Sequence, residues 1–230
     1  MEKTLSRTET SEAVSDAGWR FVLGTLQTSV PVGSLAEAAR ITSLVVGTCG
    51  DDADQHLRVD VRPTRVILTL QSLAHAAATT RDIDLAHQIS AAVQEAGSRT
   101  APDTTPEAPR SVQLIELGID ALDIAAIRPF WKAALGYAPE AGADGPTDPL
   151  IDPLGQGPAI WFQQMDHPRP QRNRIHLDIS VPHDEAPHRL KAALAAGGHL
   201  LSDLRAPSFW VLSDPEGNEA CITTWQGRDN

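Results

Sequence analysis

The sequence lacks most features that would tie it to a polyanion or a membrane. Lys and Arg total 19 against 30 Asp and Glu, a net charge of -11, so the clustered cations that nucleic-acid binding requires are missing. The same imbalance argues against docking on an anionic membrane surface. No run approaches the ~18 apolar residues of a membrane span. The opening MEKTLSRTETSEAVSDAG has no apolar core of the signal-peptide kind. The expectation is a cytoplasmic protein with no nucleic-acid and no membrane partner. Cysteine is scarce too: Cys49 and Cys221 form no CxxC pair and read as free thiols, one disulfide being the alternative. Aromatic residues make up only 4%. Hydrophobic residues, at 41%, nevertheless suffice for packed cores.

Residues 98–110, SRTAPDTTPEAPR, carry three prolines and no large apolar residue. Such a segment buries too little surface to offset its ordering entropy and reads as a linker. It separates a first domain, 1–97, from a second, 111–230. In the first, Ser34 with Glu37 three residues on predicts a capped helix running towards Gly47. Arg65–Leu70 is β-branched and reads as a strand. A second helix starts at Thr80, capped by Thr79 or Thr80, with Ile83, Leu85, Ala86, Ile89 and Val93 as its buried stripe.

The second domain repeats itself. A strand at 114–120 precedes a helix over 123–135 ending at Gly136. A strand at 174–180 precedes a helix over 184–196 ending at Gly197. Asp152-Pro-Leu-Gly155 leads into the strand AIWFQ, and Asp214-Pro-Glu-Gly217 into EACITT. Two copies of one strand–helix–strands unit fit these marks. Strand parity puts Ile115, Leu117, Ile119 and Ile175, Leu177, Ile179 on faces that meet the helices. Glu116, Gly118 and Asp120, and likewise His176, Asp178 and Ser180, fall on the opposite, polar faces. Matching the two DPxG marks levels Ala159, Trp161 and Gln163 with Cys221, Thr223 and Trp225. One cup lined by Glu116, Trp161, Gln163, His176, Asp178, Cys221 and Thr223 follows, with the mixed aromatic and polar make-up of a ligand pocket.

ALDIAAIRPFWKAALGY, NRIHLDISV and LSDPEGNEACIT resemble the vicinal-oxygen-chelate superfamily, which includes glyoxalase I, extradiol dioxygenases and bleomycin-resistance proteins, and within it a glyoxalase-like subgroup. The resemblance spans nearly all of 111–226. It implies paired βαβββ modules forming an open barrel around a ligand cup, often with a divalent metal at its floor. The implied ligand positions are Glu116, His176, Gln163 (or Ala159) and Cys221. Because Cys221 stands where a carboxylate is wanted and Gln is a weak ligand, no metal site is assigned, and a divalent metal stays the alternative.

SLAEAARITSLV, QHLRVDVRPTRVILTL and TTRDIDLAHQI resemble pterin-4a-carbinolamine dehydratases, implying an α+β first domain. Of that family's His-His-Pro, Gln55-His56-Leu57 keeps one imidazole, and His75 follows two residues later than the third histidine would. The resemblance makes His56 a substrate-binding candidate. An inherited scaffold, serving dimerisation, packing on the second domain or the binding of another ring, fits this partial set better than retained dehydration.

The fold expected is therefore α+β throughout. The leading functional expectation is a small-molecule-binding enzyme of lyase or isomerase type. Glu116 and His176, which face one another across the repeat, are its acid/base pair, and Trp161, Gln163, Asp178, Cys221 and Thr223 contact the substrate. The alternatives are a non-catalytic drug or metabolite binder and a 4a-hydroxytetrahydrobiopterin dehydratase with an accessory domain.

Overall fold

The apolar stripe of residues 80–95 organises the first half of the chain. The computed structural model describes residues 2–102, 112–169, 171 and 175–228, divided into two units, Met1–Leu114 and Ile115–Asn230. The first contains α1 (Arg7–Ser15), β1 (Arg20–Val22), β2 (Thr25–Pro31), α2 (Leu35–Cys49), α3 (Ala53–His56), β3 (Leu57–Arg62), β4 (Arg65–Leu70) and α4 (Thr80–Glu95). Its strands form one antiparallel sheet in the order β1-β2-β4-β3. Thr79 caps α4 in a reciprocal box with Asp82, and the five stripe residues are all buried. They share a core with Leu26, Leu68, Leu70 and Trp19. Trp19 is fully buried, so its indole N–H needs a partner and donates to Ser90 Oγ at 2.9 Å.

Two expectations for this unit change. Helix α2 is capped by Ser34, but the Glu37 carboxylate accepts from Gly33 N–H, and the helix continues past Gly47 to Cys49. Residues 98–102, assigned to the linker from composition, are tied to the unit. Ala101 and Ser29 exchange backbone hydrogen bonds of 2.7 and 3.1 Å, and the Thr100 hydroxyl donates to the Ala17 carbonyl. Pairing beside β2 offsets an ordering entropy that the side chains alone could not. Residues 103–110 of the linker lie outside the described residues.

The second unit contains β5 (Glu116–Ala121), α5 (Ile124–Leu135), β6 (Ala138–Pro139), β7 (Leu150–Ile151) and β8 (Ala159–Gln164). It then repeats the pattern as β9 (Leu177–Ser180), α6 (Ala186–Ala195), β10 (His199–Arg205), β11 (Phe209–Ser213) and β12 (Glu219–Thr223). The sheet orders are β5-β8-β7-β6 and β10-β11-β12-β9. In each, the fourth strand lies parallel beside the first. These are two βαβββ modules. Their sheets are separate among the described residues, so the expected open barrel is two four-stranded sheets rather than a continuous wall.

The paired DPxG marks are the same turn built twice. Asp152 accepts N–H groups from Leu154, Gln156 and Gly157. Asp214 accepts those of Glu216 and Asn218. Each turn closes on a glycine with positive φ, 66° at Gly155 and 92° at Gly217, where a side chain would be strained. Both first strands start later than predicted. Ile115 and Ile175, expected on helix-facing surfaces, precede β5 and β9 and are 59% and 81% exposed. Side-chain parity carries no burial where no ladder continues. Arg174 lies outside the described residues.

Candidate functional site

Strand β12 places Cys221 beside Asp178 and Thr223 beside Ser180. In-register neighbours of a parallel pair point to the same side, so these four residues share one face. The Ser180 and Thr223 hydroxyls are hydrogen-bonded at 2.8 Å. His176, one residue before β9, turns onto that face. Its Nδ1 lies 3.2 Å from Asp178 Oδ1 and 4.0 Å from Cys221 Sγ. One donor atom from each of the three falls within 4.8 Å of the others. Cys221 is buried, whereas His176 and Asp178 are exposed.

The donor spacing of this set is comparable to that of a metal site. Zinc bonds of about 2.3 Å to sulfur and about 2.0–2.1 Å to nitrogen put tetrahedral ligand atoms about 3.4–3.6 Å apart. The observed 3.2 and 4.0 Å bracket that spacing. A thiol, an imidazole and a carboxylate are the donor types zinc takes. The residues therefore fit a zinc-type ion, and His176 and Cys221 are two of the positions implied by sequence; the other two do not join them. Glu116 stands opposite Ala159, which offers no donor, and Gln163 is two pairs further along, opposite Asp120. Asp178 takes the third place.

Strand pairing also revises the correspondence between the modules. Glu116 pairs with Ala159 and Asp178 pairs with Cys221. With Ala159 and Cys221 level by the DPxG count, Asp178 rather than His176 is the counterpart of Glu116. The parity was right and the level was two residues off.

In the first module, Trp161 lies across Gly118. A Cβ at position 118 would stand 2.9 Å from the indole, so only glycine admits the ring there. Gln163 donates to the Gln164 carbonyl at 3.3 Å. Asp120 forms an ion pair with Arg169 at 3.0 Å. Glu116 is exposed at the head of β5. Burial pushes the nearby Glu140 carboxyl above its ordinary range, and the charge of Glu116 pushes it further.

A cleft of about 460 Å³ opens at the edges of β5 and β9, within the span typical of small-ligand sites. Gly118, Asp120 and Arg169 line one side; His176 and Glu219 line the other. Of the site residues named from sequence, His176 alone lines this cleft. Asp178 and Cys221 reach it only through their contact with His176, while Glu116, Trp161, Gln163 and Thr223 stand outside its lining. Arg169 was missed because it follows β8 in a segment with no periodicity. Asp120 was legible as a polar-face residue but had no partner to single it out. His56 belongs to the first unit, where it is buried at 4% exposure with Nδ1 2.9 Å from Asp82 Oδ1.

Residues 116–223 match a family model described as a glyoxalase-like domain. No curated protein matches the chain. Among solved structures, a glyoxalase/bleomycin resistance protein from Albidiferax ferrireducens T118 is 17% identical, covering 47% of this chain and 95% of that one, with a TM-score of 0.37. The fosfomycin resistance protein FosX from Listeria monocytogenes is 10% identical, covering 53% and 97%, with a TM-score of 0.40. No helix among the described residues is long and apolar enough to cross a membrane. Residues 116–223, folded as two βαβββ modules, are thus the part of the chain that is similar to a glyoxalase-like domain.

Proposed function

We propose that the glyoxalase-like domain binds a small organic molecule in the cleft at the edges of β5 and β9 and moves a proton on it, as a lyase or isomerase does. The observation that carries this reading is the placement of His176 on the cleft wall with Asp178 against its ring. An imidazole oriented by a carboxylate is a ready acid/base group. Glu116, the second proton carrier expected from sequence, stands outside the cleft lining, so the proton transfer is assigned to His176 alone. Arg169, steadied by Asp120, supplies a cation for an anionic part of the ligand.

Native mass spectrometry of the purified full chain tests the binding step. A small-molecule adduct is expected on the wild type and is lost on His176→Asn and Arg169→Ala. An adduct that survives both substitutions places binding elsewhere. A non-catalytic metabolite binder is the competing outcome, recognised by an adduct with no turnover.

One observation favours a metal-assisted variant of the same reading: the convergence of His176, Asp178 and Cys221. These three would hold a zinc-type ion, which when bound polarises a ligand oxygen as a Lewis acid. For the first unit we infer a scaffold role rather than pterin dehydration, because His56 is the one buried imidazole described there.

A further inference from the structure

The first unit contains a cluster that the reading above does not use. Helix α3 ends on His56, and the cap of α4 brings Asp82 to it. Asp82 is fully buried. Its Oδ2 accepts from Thr79 N–H at 2.7 Å and from the Thr79 hydroxyl at 2.8 Å, which leaves Oδ1 for His56 Nδ1 at 2.9 Å. A carboxylate only accepts, so Nδ1 carries the hydrogen and Nε2 is the outward-facing ring nitrogen. That nitrogen stands 3.4 Å from a second carboxylate oxygen, Glu2 Oε1, to which it donates only when the ring carries both hydrogens.

Glu2 is surrounded from three sides. The Ser72 hydroxyl donates to its Oε2 at 3.2 Å, and His75 Nδ1 lies 3.5 Å from the same oxygen. Ser72 and His75 are themselves 3.0 Å apart, so the far wall is one hydrogen-bonded unit. Glu2 is held there by its own backbone. Thr80 N–H donates to the Lys3 carbonyl at 2.8 Å, Lys3 N–H donates to Thr80 Oγ1 at 3.3 Å, and Thr4 bridges Thr79.

The fit is loose where it should be tight. Charge-assisted N–H···O contacts close to about 2.7–2.9 Å when both partners are free to adjust. The two imidazoles stand 3.4 and 3.5 Å from the carboxylate. The strap along residues 3–4 holds Glu2 short of them. Glu2 retains 34% side-chain exposure and His75 48%, so the cluster opens to solvent.

We propose that His56, Ser72 and His75 form a binding site for a small carboxylate, and that Glu2 occupies it from within the chain. A free carboxylate, released from the strap, satisfies both imidazoles and the hydroxyl at closer range. Glu2 competes with it at the effective concentration of a short tether, on the order of millimolar.

The test is an acetate titration of the full chain at mildly acidic pH and constant ionic strength, following the histidine ring resonances by NMR. In Glu2→Ala, the His56 and His75 signals should move together and saturate, with a midpoint below that of the wild type by a factor of one plus the tether's effective concentration over the variant's own dissociation constant. Glu2→Gln, which keeps the size and removes the charge, should fall between them. Ser72→Ala in the Glu2→Ala background should weaken the response while circular dichroism stays unchanged. Equal midpoints in wild type and Glu2→Ala overturn the competition. Unmoved ring signals in Glu2→Ala overturn the site.

Discussion

The Nδ1 atom of His176 lies 4.0 Å from the sulfur of Cys221, with Asp178 3.2 Å away on the same nitrogen. A thiol so placed is a poor general base beside an imidazole but a good zinc ligand once deprotonated. If the metal-assisted variant operates, Cys221→Ala lowers zinc affinity on the order of 100-fold or more, since loss of even an outer partner costs 10–100-fold. Equilibrium dialysis with elemental analysis reads this directly. Equal zinc uptake by wild type and variant removes the metal from the account.

The two DPxG aspartates should differ in what they contribute to stability. Asp214 is 1% exposed and accepts from Trp131 Nε1 at 3.0 Å as well as from Asn218 Nδ2 at 2.8 Å. Asp214→Ala strands the buried Trp131 indole N–H together with three half-buried donors and should cost about 3–5 kcal/mol. Asp152 serves three loop amides in an exposed turn, and Asp152→Ala should cost about 1 kcal/mol. Urea denaturation of both variants checks the order.

Leu23 occupies φ 47° in the two-residue turn that joins β1 to β2, followed by Gly24 at 75°. Two successive positive φ values define a type I′ hairpin turn, for which Asn-Gly is the favoured pair. Leu23 is also 51% exposed, so the side chain is held by little packing. Leu23→Asn should stabilise the first unit by about 0.5–1 kcal/mol. A lowered denaturation midpoint contradicts this.

Burial pushes the Cys49 thiol from 9.0 up to about 11, and the charge of Asp52 adds to the shift. Below pH 9.0 the thiol is protonated whether folded or unfolded, and the burial carries no penalty. As pH rises towards 11, the unfolded chain loses the proton first and stability falls. Cys49→Ala should flatten this alkaline slope in denaturation measured across that range. An unchanged slope assigns the loss to other groups.

The α4 stripe and its Thr79 cap, the strand Arg65–Leu70 and the repeated DPxG turns were all legible in the sequence, because each follows from local spacing and backbone chemistry. The face sharing of Glu116, Gly118 and Asp120 was legible from parity for the same reason. The level of one strand against its neighbour was not, since parity is unchanged by a slip of two residues. That is why Asp178, not Gln163, joins His176 and Cys221. The cleft wall at Arg169 depends on a contact between an irregular segment and β5, for which no local pattern exists. Glu2 against His56 is a contact across 54 residues and was invisible for the same reason.

The central claim, proton chemistry at His176, is tested most directly by hydrogen exchange into a ligand. The full chain is incubated in deuterium oxide with a metabolite extract, and the small molecules are then weighed by mass spectrometry. One species is expected to gain deuterium with the wild type and not with His176→Asn, still folded. Binding of a ligand without deuterium gain, or equal gain with the variant, would contradict proton chemistry at His176.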